Sequence, residues 1–294
     1  MKLNWKNSTN KGTLMLKLVH QFQTETLFTD KYIRWFFDRD SIQALEKNPP
    51  NMMSEPKDEE ERFQKIAYLY VILREKYGDD IIESAIEAGC QQILLLGAGY
   101  DTRFFRLSSI QNNSVKTFEV DLPETIENKK QYLLKQFDNI PHGLSLIPLD
   151  LNQDDLDCLV EYGFNPQTPT IYIWQGVSYY LNQENVSNTL DFIKNKMTPG
   201  SVFVFDCCSP LMTFKNETIP GINFNIDRLA EIGEPYRFGM YGDEMERWLS
   251  EKGFQNIEIL QQDDLEERFL NKRSLPNNMW YIVTVKTHSI EQNR

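Results

Sequence analysis

The rhythm of apolar and polar positions changes once along this chain, near residue 91. Residues 12–88 read as helical. Leu14, Leu16, Leu18, Val19 and Phe22 begin an apolar stripe, and Tyr32, Ile33, Trp35, Phe36 and Phe37 follow it. The segment EKNPPNMMSEPKDEEE, with three prolines and a run of acids, reads as a loop or mobile hinge leading into a helix. In that helix Phe63, Ile66, Ala67, Tyr70 and Val71 recur at helical spacing. Gly78 is expected to end it. Asp79 or Asp80 would then cap a second helix, IIESAIEAG, which Gly89 closes.

Beyond residue 91, short apolar runs alternate with helical segments. The expected strands are Ile93–Leu96, Val115–Val120, Leu144–Ile147, Thr170–Trp174, Val202–Phe205, Ile257–Leu260 and Tyr281–Val285. Helices are expected near 103–109, 123–138, 154–162, 183–196, 226–232 and 242–252, with a weaker one in DDLEERFLNKR. This alternation predicts an α/β fold with a mostly parallel sheet covered on both faces. The helical N-terminal segment is expected to extend that one domain.

Composition narrows the function classes. The 294 residues carry a net charge of −12, a field that repels phosphate backbones and anionic lipid. Nucleic acid and a membrane are therefore not expected partners. Cys90, Cys158, Cys207 and Cys208 form no CxxC pair, and only His20, His142 and His288 could complete a zinc site, so no metal is expected. Neither a signal peptide nor an apolar span of about 20 residues is visible. A reducing, cytoplasmic compartment is the expectation.

The most informative segment is QQILLLGAGYDTRFFRL. A buried strand runs into Gly97, Ala98 and Gly99, where missing side chains let backbone approach a ligand. A plain strand-to-helix turn would look the same. The dinucleotide fingerprint calls for a third small residue, but here Asp101 and Thr102 stand there. A carboxylate opposes a diphosphate and tolerates a cationic ligand, which tilts the reading from NAD towards S-adenosyl-L-methionine. Either residue could equally cap the next helix. Asp121 ends the second strand at the spacing of an acid that takes both ribose hydroxyls. Asp150 follows the third strand, where it could accept from an adenine amino group while Leu151 covers the ring.

In this order GAGYDTR (97–103) with Arg106 and Leu107, FEVDLP (118–123), and Asp150 with Leu151 resemble the leucine carboxyl methyltransferase family. That family includes many bacterial S-adenosylmethionine-dependent methyltransferases. The resemblance spans roughly residues 12–285. It implies a class I methyltransferase Rossmann-like sheet with a reversed last strand over 89–294, in which the stretch 207–241, long for the link between the fifth strand and its helix, reads as an insertion of the kind that often covers a site. Residues 1–88 would form a helical extension or lid. It further implies that Arg74, otherwise an ordinary helix arginine, pairs with the methionyl carboxylate. Gly97, Ala98 and Gly99 would form the backbone turn, with Asp121, Leu122, Asp150 and Leu151 on ribose and adenine. One position departs from the pattern. WQGVSYYL (174–181) carries Gln175 where the family usually has a glutamate, which keeps hydrogen bonding but removes a charge near the sulfonium.

The expected reaction is transfer of a methyl group to the carboxylate or hydroxyl of a small metabolite or natural product. A carboxylate needs no base, and candidate bases are scarce, with only His20 and His142 near a loop or lid. No catalytic residue is singled out. Tyr179 and Tyr180 could line the acceptor pocket and Arg237 could hold an anionic acceptor, although packing and surface charge explain them as well. Cys207 and Cys208 read as packing. The competing readings are a cofactor-binding protein without turnover, favoured by Gln175, and a nicotinamide-dependent oxidoreductase, disfavoured by Asp101 and Thr102.

Overall fold

The computed structural model describes residues 9–219, 221–273 and 279–287. Residues 1–8 of the N-terminal extension and His288 lie outside them. The chain order is α1 (Thr9–His20), α2 (Arg39–Lys47), α3 (Glu59–Glu87), β1 (Gln92–Leu96), α4 (Arg103–Arg106), α5 (Ser108–Asn112), β2 (Lys116–Asp121), α6 (Pro123–Leu134), β3 (Leu144–Pro148), β4 (Thr170–Trp174), α7 (Gln183–Lys196), β5 (Val202–Cys208), α8 (Ile222–Glu231), α9 (Gly242–Glu251), β6 (Ile257–Gln261), α10 (Gln262–Leu270) and β7 (Trp280–Lys286).

The seven strands form one sheet in the order β3-β2-β1-β4-β5-β7-β6. The first five pair in parallel, and β7 runs antiparallel to both β5 and β6. Every residue of β1 and β4 is buried, as a central strand covered on both faces requires. Alternation sorts their side chains. Ile93, Leu95, Ile171 and Ile173 pack with Leu73, Tyr77 and Ile82 of α3. Leu94, Leu96, Tyr172 and Trp174 pack with Leu190 of α7 and Leu249 of α9. The N-terminal segment thus supplies part of one covering layer through α3. The remainder, Leu14, Leu18, Val19, Ile33, Phe36 and Leu45, forms its own small core.

Several local expectations change. Gly78 does not end a helix; α3 runs unbroken through it. A Cβ there would lie 2.9 Å from Arg103 Nη2 and 3.0 Å from Gln175 Oε1, so this glycine admits two side chains against the helix. Asp79 is not a cap but a buried partner of Arg103 and Arg106. The helix expected at 103–109 breaks at Leu107 into α4 and α5. Residues Leu156–Tyr162 form a 3-10 helix. The helix expected at 226–232 begins earlier, at Ile222. The loop before α3 stands, and Asp58 caps that helix by accepting from Glu61 N.

Candidate functional site

The site lies at the carboxyl ends of β1, β2 and β4, where the strand order reverses direction. The turn after β1 holds Gly97 at φ +68 and Gly99 at φ +52, in the left-handed region that glycine adopts without strain. A Cβ on Gly97 would stand 2.2 Å from Val177 Cγ2, so the turns after β1 and β4 pack in contact. Asp121 closes the turn from the neighbouring strand. Its Oδ2 accepts from Gly99 N at 2.7 Å and its Oδ1 from Leu122 N at 2.8 Å. Burial raises its pKa, opposed by those two N–H groups. The Thr125 hydroxyl also donates to Asp121, so of the roughly four acceptor positions of a carboxylate about one stays available for a ligand hydroxyl.

Two adjoining cavities meet at Gly97, Gly176 and Asn10. The larger, about 280 Å³, is lined by Asp121, Leu122, Asp150, Leu151, Tyr180 and Arg237, among others. Leu122 is 48% exposed there, an apolar surface suited to a planar ring. The smaller, about 70 Å³, is lined by Arg74, Gly97, Ala98, Gly99 and Gln175. All nine residues expected to hold the cofactor therefore converge on these two spaces. Asp150 is tethered there: its Oδ1 accepts from Asn152 N and its Oδ2 from Gln153 Nε2, both at 2.8 Å.

Arg74 is buried, not an exposed helix residue. Its Nη1 donates to Asp206 Oδ2 at 2.6 Å and to the Tyr179 hydroxyl at 3.2 Å. Asp206 also accepts from Tyr70 and from Gly176 N, binding α3, β5 and the turn after β4 into one unit. Sequence reasoning missed Asp206. Its signal is an acid inside the otherwise apolar run VFVFDCC.

Asp101 lines the smaller cavity, but its charge does not face the ligand alone. Its Oδ2 accepts from Arg103 Nη1 at 2.7 Å and its Oδ1 from Arg103 N at 2.7 Å, so it also holds the start of α4. Thr102 donates to Asp30 and caps nothing with its side chain. Arg103 further meets Asp79 at 2.8 Å and Glu75 at 3.0 Å, and Lys17 of α1 meets Glu75 at 2.9 Å. Burial opposes ionisation of Glu75, yet Arg103, Lys17 and Arg106 hold its carboxyl well below the usual range. Gln175 sits in this network. Its Oε1 accepts from Arg103 Nη2 at 3.1 Å, and its Nε2 donates to Arg74 O at 3.2 Å.

Neither described histidine, His20 or His142, lines the cavities. His20 is buried in α1, 2.8 Å from the Tyr68 hydroxyl, and its Nε2 accepts from Leu27 N. His142 is exposed in the loop before β3. Cys207 and Cys208 are buried in β5 and free, as packing residues are. No described group of residues could hold a metal, and no described helix is long and apolar enough to cross a membrane.

A glycine turn held by a strand-end acid, beneath a mostly parallel sheet with a reversed last strand, defines a class I S-adenosylmethionine-dependent methyltransferase. The chain belongs to the leucine carboxyl methyltransferase family, which it matches over residues 12–194. It is 28% identical over 243 residues to the "Putative S-adenosyl-L-methionine-dependent methyltransferase YktD" of Bacillus subtilis (strain 168), covering 81% of this chain and 76% of that one. It is 30% identical over 190 residues to a protein of the same description from Parafrankia sp. (strain EAN1pec), covering 65% and 59%. The fold matches a crystal structure of a DUF574 family protein from Streptomyces avermitilis, with a TM-score of 0.57, 11% identity and 94% and 97% of the two chains covered. A crystal structure of a methyltransferase, so described as putative, from Thermobifida fusca matches with a TM-score of 0.55, 13% identity and 97% and 99% covered.

Proposed function

We propose that this methyltransferase is an O-methyltransferase acting on the carboxylate of a small metabolite or natural product, with a hydroxyl as the alternative acceptor group. Bound S-adenosylmethionine supplies a methyl on a positive sulfur, already activated for displacement. Gly97, Ala98 and Gly99 let backbone approach it, Asp121 accepts from a ribose hydroxyl, and Leu122 and Leu151 cover the adenine. Asp150 accepts from the adenine amino group, and Arg74 holds the methionyl carboxylate. Gln175 sits near the methionyl end. Tyr179 and Tyr180 stand on the acceptor side, beside Arg74, whereas Arg237 lines the larger cavity with the adenine and ribose residues. Helix α1 places Thr9, Asn10 and Thr13 on the cavities, which supports a lid role for the N-terminal segment.

One observation carries the choice of carboxylate. A third, aromatic-lined cavity beside Arg74 has no His, Asp or Glu among its described lining residues. A hydroxyl acceptor must lose a proton to a base, whereas a carboxylate oxygen arrives without one. The acceptor oxygen forms a C–O bond as the C–S bond breaks, its electron pair staying on sulfur. The negative and positive charges cancel and no proton is released. Alignment then accounts for most of the rate. The free cysteines suit a cytoplasmic setting. The test is transfer of labelled methyl to a panel of acids and alcohols. Product that releases methanol in mild alkali supports a methyl ester. Alkali-stable product alone would replace this reading with ether formation.

A further inference from the structure

The two cavities at the carboxyl ends of the strands have Gly97, Gly176 and Asn10 in common. The glycines have no side chain, so among the described lining residues Asn10 presents the one side chain that borders both spaces. It comes from the first turn of α1, in the N-terminal segment, and not from the sheet. Its Oδ1 lies over the glycine turn, 3.4 Å from where a Cβ on Gly99 would stand. Its side-chain amide makes no hydrogen bond to a described residue.

Helix α1 is tied down on either side of the site. At its start, Thr9 N donates at 2.7 Å to Glu234 Oε2, in the segment after α8. Further along, Lys17 Nζ meets Glu75 of α3 at 2.9 Å, and water barely reaches either side chain. Asn10 is thus held at the junction before any ligand arrives, and a dipole already in place costs little to order on binding. The cofactor divides as the cavities do. With its methionyl group beside Arg74 and its adenosine beside Asp121 and Asp150, the atom that joins the two parts is the sulfur, and it falls to the junction.

We propose that Asn10 senses the charge on that sulfur: its amide oxygen accepts the polarised C–H groups around the sulfonium and so favours S-adenosylmethionine over S-adenosylhomocysteine. The inference rests on the cofactor orientation proposed above and adds a specificity-determining residue to it. A positive sulfur withdraws electrons from the C–H bonds beside it, which strengthens their contact with an acceptor oxygen. Once the methyl has left, the sulfur is a neutral thioether and that attraction falls. Asn10 therefore holds substrate cofactor more firmly than spent cofactor, and it does so only while α1 is seated on the site.

The test uses the full chain and four ligands titrated by calorimetry: S-adenosylmethionine, S-adenosylhomocysteine, adenosine and sinefungin, which has an ammonium-bearing carbon in place of the methylated sulfur. Asn10→Leu keeps the size and removes the polar atoms. It should weaken S-adenosylmethionine at least threefold and sinefungin, whose N–H groups reach the oxygen directly, at least tenfold. S-adenosylhomocysteine and adenosine should change less than twofold. Asn10→Asp should raise the preference for S-adenosylmethionine over S-adenosylhomocysteine at least threefold. A preference unchanged in both variants overturns the assignment. Equal losses for all four ligands also overturn it and make Asn10 a structural part of α1. Arg74→Ala tests the orientation separately. If it weakens adenosine as much as S-adenosylmethionine, the orientation itself fails. If it spares adenosine while the Asn10 variants leave the preference unchanged, only the role of Asn10 fails.

Discussion

Arg74 Nη1 lies 2.6 Å from Asp206 Oδ2, joining the middle of α3 to the end of β5 in a pair that water barely reaches. The pair aims a guanidinium at the space beside Gly97 and Gly176 and holds it there. Arg74→Ala should weaken S-adenosylmethionine far more than adenosine, which has no methionyl carboxylate. Arg74→Lys should recover only part of that loss, because a point charge lacks the bidentate fork. Removing one partner of a buried pair costs about 3–5 kcal/mol of stability, so binding is compared on folded protein. Equal losses for both ligands would make Arg74 a structural residue.

Asp121 is pre-positioned by the N–H groups of Gly99 and Leu122. Asp121→Ala should weaken S-adenosylhomocysteine by about 1.5–3 kcal/mol, the range for hydrogen bonds to a charged group. Calorimetry on both proteins measures it. A loss below a factor of three would remove the ribose contact.

The environment of Gln175 changes what a restored carboxylate can do. A glutamate would gain attraction to Arg103 but set a carboxylate oxygen against Arg74 O, which now accepts from the amide. Arg103 therefore neutralises much of the new charge. Gln175→Glu should raise affinity for S-adenosylmethionine relative to S-adenosylhomocysteine by about tenfold or less, since 1.4 kcal/mol is tenfold. The ratio of the two dissociation constants is the readout. An unchanged ratio would show that residue 175 does not sense the sulfonium.

Two glycine-to-alanine variants separate backbone strain from collision. A methyl on Gly89, at φ +102, would have no atom within 4 Å, whereas one on Gly97 would meet Val177 at 2.2 Å. Gly89→Ala should cost only the backbone term, about 1–2 kcal/mol, and bind S-adenosylhomocysteine normally. Gly97→Ala should lower the melting temperature further and abolish binding. Similar melting temperatures for the two would remove the steric argument.

His20 supplies a pH dependence. Burial lowers its pKa from 6.5 to about 4, so the fold holds it neutral. The unfolded chain binds the proton first as pH falls below about 6.5, and stability declines from there until the folded imidazole titrates near 4. The full difference is about 3 kcal/mol. Denaturant unfolding at pH 7 and pH 4.5 should show a steeper loss for the native chain than for His20→Gln. Parallel losses would place the acid sensitivity in the carboxylates alone.

The strands and the glycine turn after β1 were legible in the residues alone, because both are local. A run such as Thr170–Trp174 is apolar at nearly every position since both of its faces are covered, and burial pattern is written directly in residue type. Gly97, Gly99 and Asp121 keep a fixed spacing along β1 and β2, so their meeting follows from one strand-turn-strand geometry. Tertiary structure alone decided the rest. Gly78 has the chemistry of a helix end, and only Arg103 and Gln175, arriving from two other loops, show why α3 continues through it. Asp206 meets Arg74 across 132 residues, and the third cavity gathers rings from α3, from the segments after β4 and α8 and from β7. Periodicity reports which face of an element is buried. It carries no record of which charge or donor waits there, because that depends on a strand order in which sequence neighbours are not spatial ones.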